Sequence, residues 1–373
     1  MRRHAAVRML LHDRATTAGS VLGVVAIIFL VGQQLATLSG LVSYMSVLVD
    51  RSGADIWITS KDTDNINSAG DLPMKYVDRL LALDDIEWAE PLVLAGGLLK
   101  REDGQFQPVR VVGLARPRMA GGPWEFAEGD IGVLLDVDAV TVDRLDLETL
   151  GGPEVNDVLE ISGVRVRVAG ITDGIQGFAG TLVFASEEKA REVGRVSDDR
   201  CSNILVTLRP DAKPNHALAR IRALLPGAEA YTTAELATNT KLYYLTETGI
   251  GFSFGFTTFA GIMVGVVIIV LTMYTTVLNR VRDFAVLRAL GARKSDIRLI
   301  VLYQALVIGL IGTLIGFFLL AGFLFGTRGS QLPSSMPLWI PPLHALFTLL
   351  LCVAGSGLAI RRATRVEPAS AFR

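Results

Sequence analysis

The side chains that ordinarily carry chemistry are few in this chain and poorly spaced for it. Four histidines (His4, His12, His216, His344) and two cysteines (Cys201, Cys352) show no metal-ligand spacing. No GxxxxGK(S/T) loop is present to cradle phosphates, so ATP hydrolysis on this polypeptide is not expected. There is no HExxH helix, and the one GxSxG match, Gly251–Gly255, lies inside an apolar run rather than on the strand-to-helix elbow that exposes a nucleophile. The acidic pairs Asp84-Asp85 and Asp198-Asp199 fall in expected loops, where a solvated surface is the ordinary role. The reading is therefore of a chain with no catalytic residues, no metal site and no cofactor of its own.

What remains is the chemistry of recognition, and it is concentrated in residues 279–298. Arg280, Arg282, Arg288, Arg293, Lys294 and Arg298 make this stretch basic, opposed only by Asp283 and Asp296. Phe284, Leu287 and Leu290 recur at helical spacing and would share one face of a short amphipathic helix. Gly291 is placed to stop that helix, and Ser295 to cap the next one. Such a helix suits either a docking element for a cytoplasmic partner or an interfacial anchor for its loop.

The elements that would position this segment are membrane spans. Half of the residues are hydrophobic and mean hydropathy is +0.43. Apolar runs near residues 21–48, 250–278, 299–325 and 343–360 each approach the roughly 20 residues needed to cross a ~30 Å hydrocarbon layer. The net charge of −1 conceals a partition, because residues 50–246 hold 32 acidic and 21 basic side chains. Basic flanks mark the cytoplasmic side. Arg2, Arg3, Arg8, Arg14, the 280–298 loop, Arg361, Arg362, Arg365 and Arg373 are thus expected inside, with both termini cytoplasmic. The basic clusters need no nucleic acid to explain them.

The expected layout is a cytoplasmic segment 1–17, a first span and stalk 18–49, and an extracytoplasmic α+β domain 50–231. A stalk and second span 232–278 follow, then a cytoplasmic loop and helix 279–298. A third span 299–326, an outer loop 327–342, a fourth span 343–360 and a cytoplasmic tail 361–373 complete it. Within the domain, strands are expected at 53–59, 88–99, 106–114, 158–161, 164–171, 182–184, 203–208 and 228–231. Asp71 and Pro73 carry N-cap and N1 signals for a helix directing Val77, Leu80 and Leu81 inward. Residues 117–132 read as loop, Ser186 as the cap of a short acidic helix, and residues 214–225 as a further helix. Strand–helix–strand at both ends suggests two βαβ-like halves around an inserted β subdomain. Thr232 and Glu235 match a capping box, and residues 233–278 read as one helix ~70 Å long, with a break near Gly249–Gly251, where two glycines weaken it, as the alternative. In its apolar part Gly251, Gly255, Gly261 and Gly265 form two GxxxG pairs beside a stripe of Phe252, Phe256, Phe259 and Met263. The glycine face suits helix packing or pairing with a second copy, and the alternative for the aromatic stripe is to line a cavity for an apolar substrate.

Residues 282–292, RDFAVLRALGA, followed by a span with Gln304, Gly309, Gly312 and Gly316, resemble the permease signature of the FtsX/MacB/LolC superfamily. Its members are membrane subunits of type VII ABC systems. Asp283 stands where that family usually has Glu. The closing stretch 359–369, with Arg361, Arg362, Arg365 and Glu367-Pro368-Ala369, resembles the family's C-terminal signature, and the whole pattern is most similar to the DevC-like branch. The resemblance implies four transmembrane helices and a MacB-like periplasmic core domain in a bacterial inner membrane. It further implies ATP and Mg on a separate ABC ATPase subunit, seated on Arg282, Asp283, Phe284, Leu287, Arg288, Leu290 and Gly291. Other implied partners are a second copy or paralogous permease, a membrane-fusion adaptor and an outer-membrane channel. The implied activity is export or mechanotransmission of an efflux substrate, glycolipid or lipoprotein. An FtsX-like regulator of cell-wall hydrolases and a membrane-anchored ligand sensor are the alternatives.

Overall fold

Lipid offers no hydrogen bonds, so an apolar run that crosses it must satisfy its own backbone as a helix. The computed structural model describes residues 10, 14–61, 63, 65–68, 70–178, 180–279, 281–328, 330 and 334–364. Among these, four helices are long and apolar enough to cross a membrane. They are the first span (Arg14–Met45), the second (Ile250–Leu278), the third (Lys294–Gly326) and the fourth (Ile340–Thr364). Arg2, Arg3, Arg8, Arg280, Arg365, Arg373 and the Glu367-Pro368-Ala369 signature lie outside the described residues.

The chain divides into two units, one of Met1–Gly40, Phe252–Arg328 and Leu332–Arg373, the other of Leu41–Gly251 and Gly329–Gln331. The core of the first unit joins Val24, Ile27, Ile28 and Val31 of the first span to Ile269, Ile300, Val301, Ile308 and Cys352 of the other three. Glycines set how closely these helices approach. A Cβ on Gly312 would lie 2.6 Å from Val24, and one on Gly316 would lie 2.6 Å from Ile28.

The second unit contains α1 (Val47–Asp50) and is built on a sheet. Its base uses β1 (Ile56–Ser60), β3 (Ile86–Lys100), β11 (Asn203–Leu208) and β12 (Ala228–Thr232), in the order β12-β1-β11-β3, all antiparallel. The two strand–helix–strand halves expected from the sequence are therefore interleaved, each contributing a strand between those of the other. Alternation sorts the side chains between faces. Ile56, Ile58, Ile204 and Val206 face Leu80 of α2 (Lys75–Leu81) and Leu218 and Ile221 of α5 (Pro214–Leu224). Trp57, Leu92 and Leu205 face Leu48 and Val49 of α1 and Leu236 of α6 (Thr233–Thr246).

The inserted β region is not a separate sheet. β3 continues outward to pair with β4 (Phe106–Leu114), and β4 pairs with β9 (Thr181–Ser186). β9 pairs with β6 (Ala139–Asp143), and β6 with β8 (Val164–Thr172). β7 (Val158–Ile161) pairs with both β8 and β3, which closes a six-stranded ring. The closing contact is short, with Leu99 opposite Ile161 and Lys100 opposite Glu160. Its interior holds Val93, Val109, Val111, Val140, Val168 and Val183, with Ala190 and Val193 of α4 (Glu187–Gly194) packed against them. β5 (Phe126–Glu128) adds to β8, so the stretch 117–132 is not wholly loop.

Four expectations need correction. Asp71 and Pro73 do not start a helix: Leu72–Pro73 form β2, paired with β10 (Arg200–Cys201), while Asp71 binds Arg200. Helix α2 starts after Met74 and buries Leu80 but leaves Leu81 exposed. Residues 233–278 are not one helix, because α6 ends at Thr246 and the second span starts at Ile250. Gly249, at φ +77°, makes the break. The third span is capped at Arg293 rather than Ser295, the Asp296 carboxylate accepting the Arg293 backbone N–H at 2.9 Å. The Thr232–Glu235 capping box is present.

Burial in the base pushes the Glu90 carboxyl up, although it accepts the Ala120 backbone N–H. The folded state then holds the Glu90 proton more tightly than the unfolded chain does. Stability from this proton is present below the ordinary carboxylate range and is lost as pH rises through the raised value. Glu90→Gln should accordingly raise the midpoint of domain unfolding at neutral pH and leave it unchanged in acid, as followed by tryptophan fluorescence.

Candidate functional site

The basic loop between the second and third spans forms a helix over Val281–Ala289. It ends as its glycine requires: Gly291 sits at φ +95°, and its N–H and that of Ala292 donate to the carbonyls of Arg288 and Leu287, each at 3.0 Å. Leu290 also donates back to Val286, at 3.0 Å. The helix thus closes on itself before the chain turns into the third span.

Its side chains divide into two faces. Phe284 and Ala285 are fully buried, Phe284 in the cluster that holds Leu10, Ile297 and Ile300. Leu287 is partly buried against the same cluster. Arg282, Asp283, Val286, Ala289, Leu290 and Gly291 are exposed, with Leu290 at 79%. Arg288 is intermediate. The apolar trio expected on one outward face is therefore split. Phe284 faces the chain's own spans, and Leu287 follows it. Val286, which sequence reasoning missed, joins Leu290 outside. Residues 282, 286, 289 and 290 follow a helical repeat, so the signal for this second face was present, but the bulkier Phe and Leu residues outweighed it.

The glycines of the second span are divided as well. Gly265 abuts Ile27 of the first span, and a Cβ on Gly261 would lie 3.7 Å from Val31. Gly255 faces open space, and Gly251 abuts Leu245 at the helix break. The stripe of Phe252, Phe256, Phe259 and Met263 is exposed, and the Phe252 and Phe256 rings stack with centroids 6.2 Å apart. Among the described residues no group of three or more His, Cys, Asp or Glu side chains could hold a metal. Both cysteines are buried and free, and burial pushes the Cys201 thiol up to about 12.

Comparison with known proteins fits this arrangement. The family model of the FtsX-like permease C-terminal region matches residues 255–368, and that of the MacB-like periplasmic core domain matches residues 15–224. The chain belongs to the FtsX/MacB family of type VII ABC permeases. Among solved structures it is similar to the periplasmic region of MacB from Actinobacillus actinomycetemcomitans, at 11% identity and a TM-score of 0.38, covering 50% of this chain and 92% of that one. It is also similar to the extracellular domain of the noncanonic ABC-type transporter YknZ from Gram-positive bacteria, at 10% identity and a TM-score of 0.35, covering 48% and 98%. No curated protein matches. The chain is thus a multi-pass membrane protein and an ABC-type transmembrane permease, with the core domain between its first and second spans.

The glycine seam gives a paired test. Gly316→Leu drives a side chain into Ile28, whereas Gly322→Leu enters open space on the same helix. Overpacking of this kind costs about 1–3 kcal/mol. The first variant should lower the thermal unfolding midpoint of the purified protein, and the second should leave it near the parent value.

Proposed function

We propose that this chain is the membrane subunit of an ABC exporter or mechanotransmission complex, driven by ATP hydrolysis on a separate subunit. The observation that carries the reading is the two-sided helix at Val281–Ala289. One face, through Phe284, is sealed into the core of the spans, and the other presents Val286 and Leu290 with Arg282 and Asp283. A partner gripping the outer face would move the spans through the inner one. The family's dependence on an ATPase partner supports assigning that face to the nucleotide-binding subunit, which would hold ATP and Mg.

The charge partition supports a bacterial inner-membrane setting with the basic loop and both termini in the cytoplasm. On this reading movement passes outward through the first span, whose helix is unbroken from Arg14 to Met45, rather than through the interrupted 233–278 segment. A second copy, or a paralogous permease, would meet the aromatic stripe of the second span, since Gly261 and Gly265 are turned toward the first span. A DevC-like arrangement adds an adaptor and an outer-membrane channel, with substrate moved from the periplasmic side.

The docking face can be separated from the folding face by substitution. Val286→Asp with Leu290→Asp should abolish co-purification of the ATPase subunit while membrane insertion and the unfolding midpoint stay unchanged. Phe284→Ala should instead lower that midpoint, by roughly 3 kcal/mol of lost packing. Undiminished ATPase binding by the double variant would remove the assignment.

A further inference from the structure

The outer wall of the barrel carries a feature that the permease reading leaves without a role. Cross-strand partners on β3 and β4 place Gly96 beside Arg110, Leu98 beside Pro108 and Lys100 beside Phe106, all on one face. On the other flank β9 sets Leu182 beside Arg110, and the chain enters that strand through Gly180. With no side chain on Gly96, the wall opens into a trough of about 360 Å³ bordered by Leu98, Pro108, Arg110 and Ser162. That volume lies within the usual range of small-molecule sites.

The trough joins a buried, unpartnered guanidinium N–H to apolar walls. The Arg110 side chain is half-buried, its Nε is buried with no hydrogen-bond partner, and among the described residues no carboxylate is paired with its guanidinium. The aromatic pair Tyr244 and Phe178, with ring centroids 4.3 Å apart, stands near it. Leu98 and Phe106, further along, are 50% and 60% exposed. A buried N–H left without an acceptor is costly, and an anionic oxygen would relieve the cost. One guanidinium balances one negative charge and fits the fork of a carboxylate. Lys100 lies two residue pairs away along each strand, ~13 Å at strand spacing, and cannot share the same head group.

We propose that this trough binds a long-chain carboxylate, with its head on Arg110 and its chain along Leu98, Pro108 and Phe106. The inference rests on the permease reading only in making such an amphiphile, or a molecule carrying one, the substrate class of the outer domain. Its binding can be measured without any ATPase subunit, so either reading can fail alone.

The test uses the full chain in phosphatidylcholine nanodiscs, photolabelled with diazirine-bearing palmitate and mapped by mass spectrometry. Label is expected on peptides spanning residues 96–98 and 106–110. Palmitate should compete it away, whereas hexadecanol and inorganic phosphate should not. Arg110→Gln should cut labelling roughly tenfold, as loss of a charge-assisted hydrogen bond would. Gly96→Leu should do the same by filling the trough; a Cβ there meets nothing within 4 Å, so the fold is spared. Labelling unchanged in Gly96→Leu, equal competition by hexadecanol, or displacement by phosphate alone would each overturn the proposal.

Discussion

The membrane unit depends on how closely the first span can approach its neighbours. Lipid tails are as apolar as the helices, so hydrophobic burial does not hold spans together; close packing and hydrogen bonds do. Glycines supply the closeness, with Gly312 and Gly316 of the third span set against Val24 and Ile28, and Gly265 of the second against Ile27. Gly23 and Gly32 of the first span do the same for Ile268 and Leu320. The fourth span adds His344, whose Nε2 lies 3.2 Å from the Ile28 carbonyl oxygen. One helix is thus the common partner of the other three, and the short helix before the third span is held to the same core through Phe284.

That attachment gives the loop its character. An interfacial helix that merely anchored a loop would turn its bulkiest apolar residue toward lipid or solvent. Here Phe284 is among the largest fully buried side chains of the described residues and lies among residues of the spans. The face left outside is small, with two aliphatic side chains beside a basic and an acidic one. Such a face is suited to a partner that brings its own groove.

Where the sequence was legible, the signals were local. Span positions followed from run length, the 158–171 hairpin from its Ser162-Gly163 turn, and the start of α6 from its capping box. Where it was not, the deciding contact came from far along the chain. Leu72–Pro73 became a strand only because Arg200–Cys201 lies beside it. β6 escaped notice because its buried residues include Thr141 and Asp143. The Asp143 carboxylate accepts the Thr172 hydroxyl at 2.8 Å and the Ile175 N–H at 2.7 Å, partners about thirty positions away. At 281–290 the periodicity declared an apolar face, but which surface covers it is tertiary information. The break at Gly249 is different, because its signal is local: glycines at 249 and 251 weaken a helix there, against the unbroken apolar run that follows.

Strand β3 serves two cores. Its first half pairs with β11 in the base, its second with β4 and β7 in the barrel, and Leu92 pairs on both sides, with Asn203 and with Leu114. A slip by one residue would turn Leu92 and Leu94 away from the base while driving Gly96 and Leu98 into the barrel interior. An error of alignment in one lobe is therefore also an error in the other. The shared strand acts as a proofreading ruler, making assembly of the two lobes a single event.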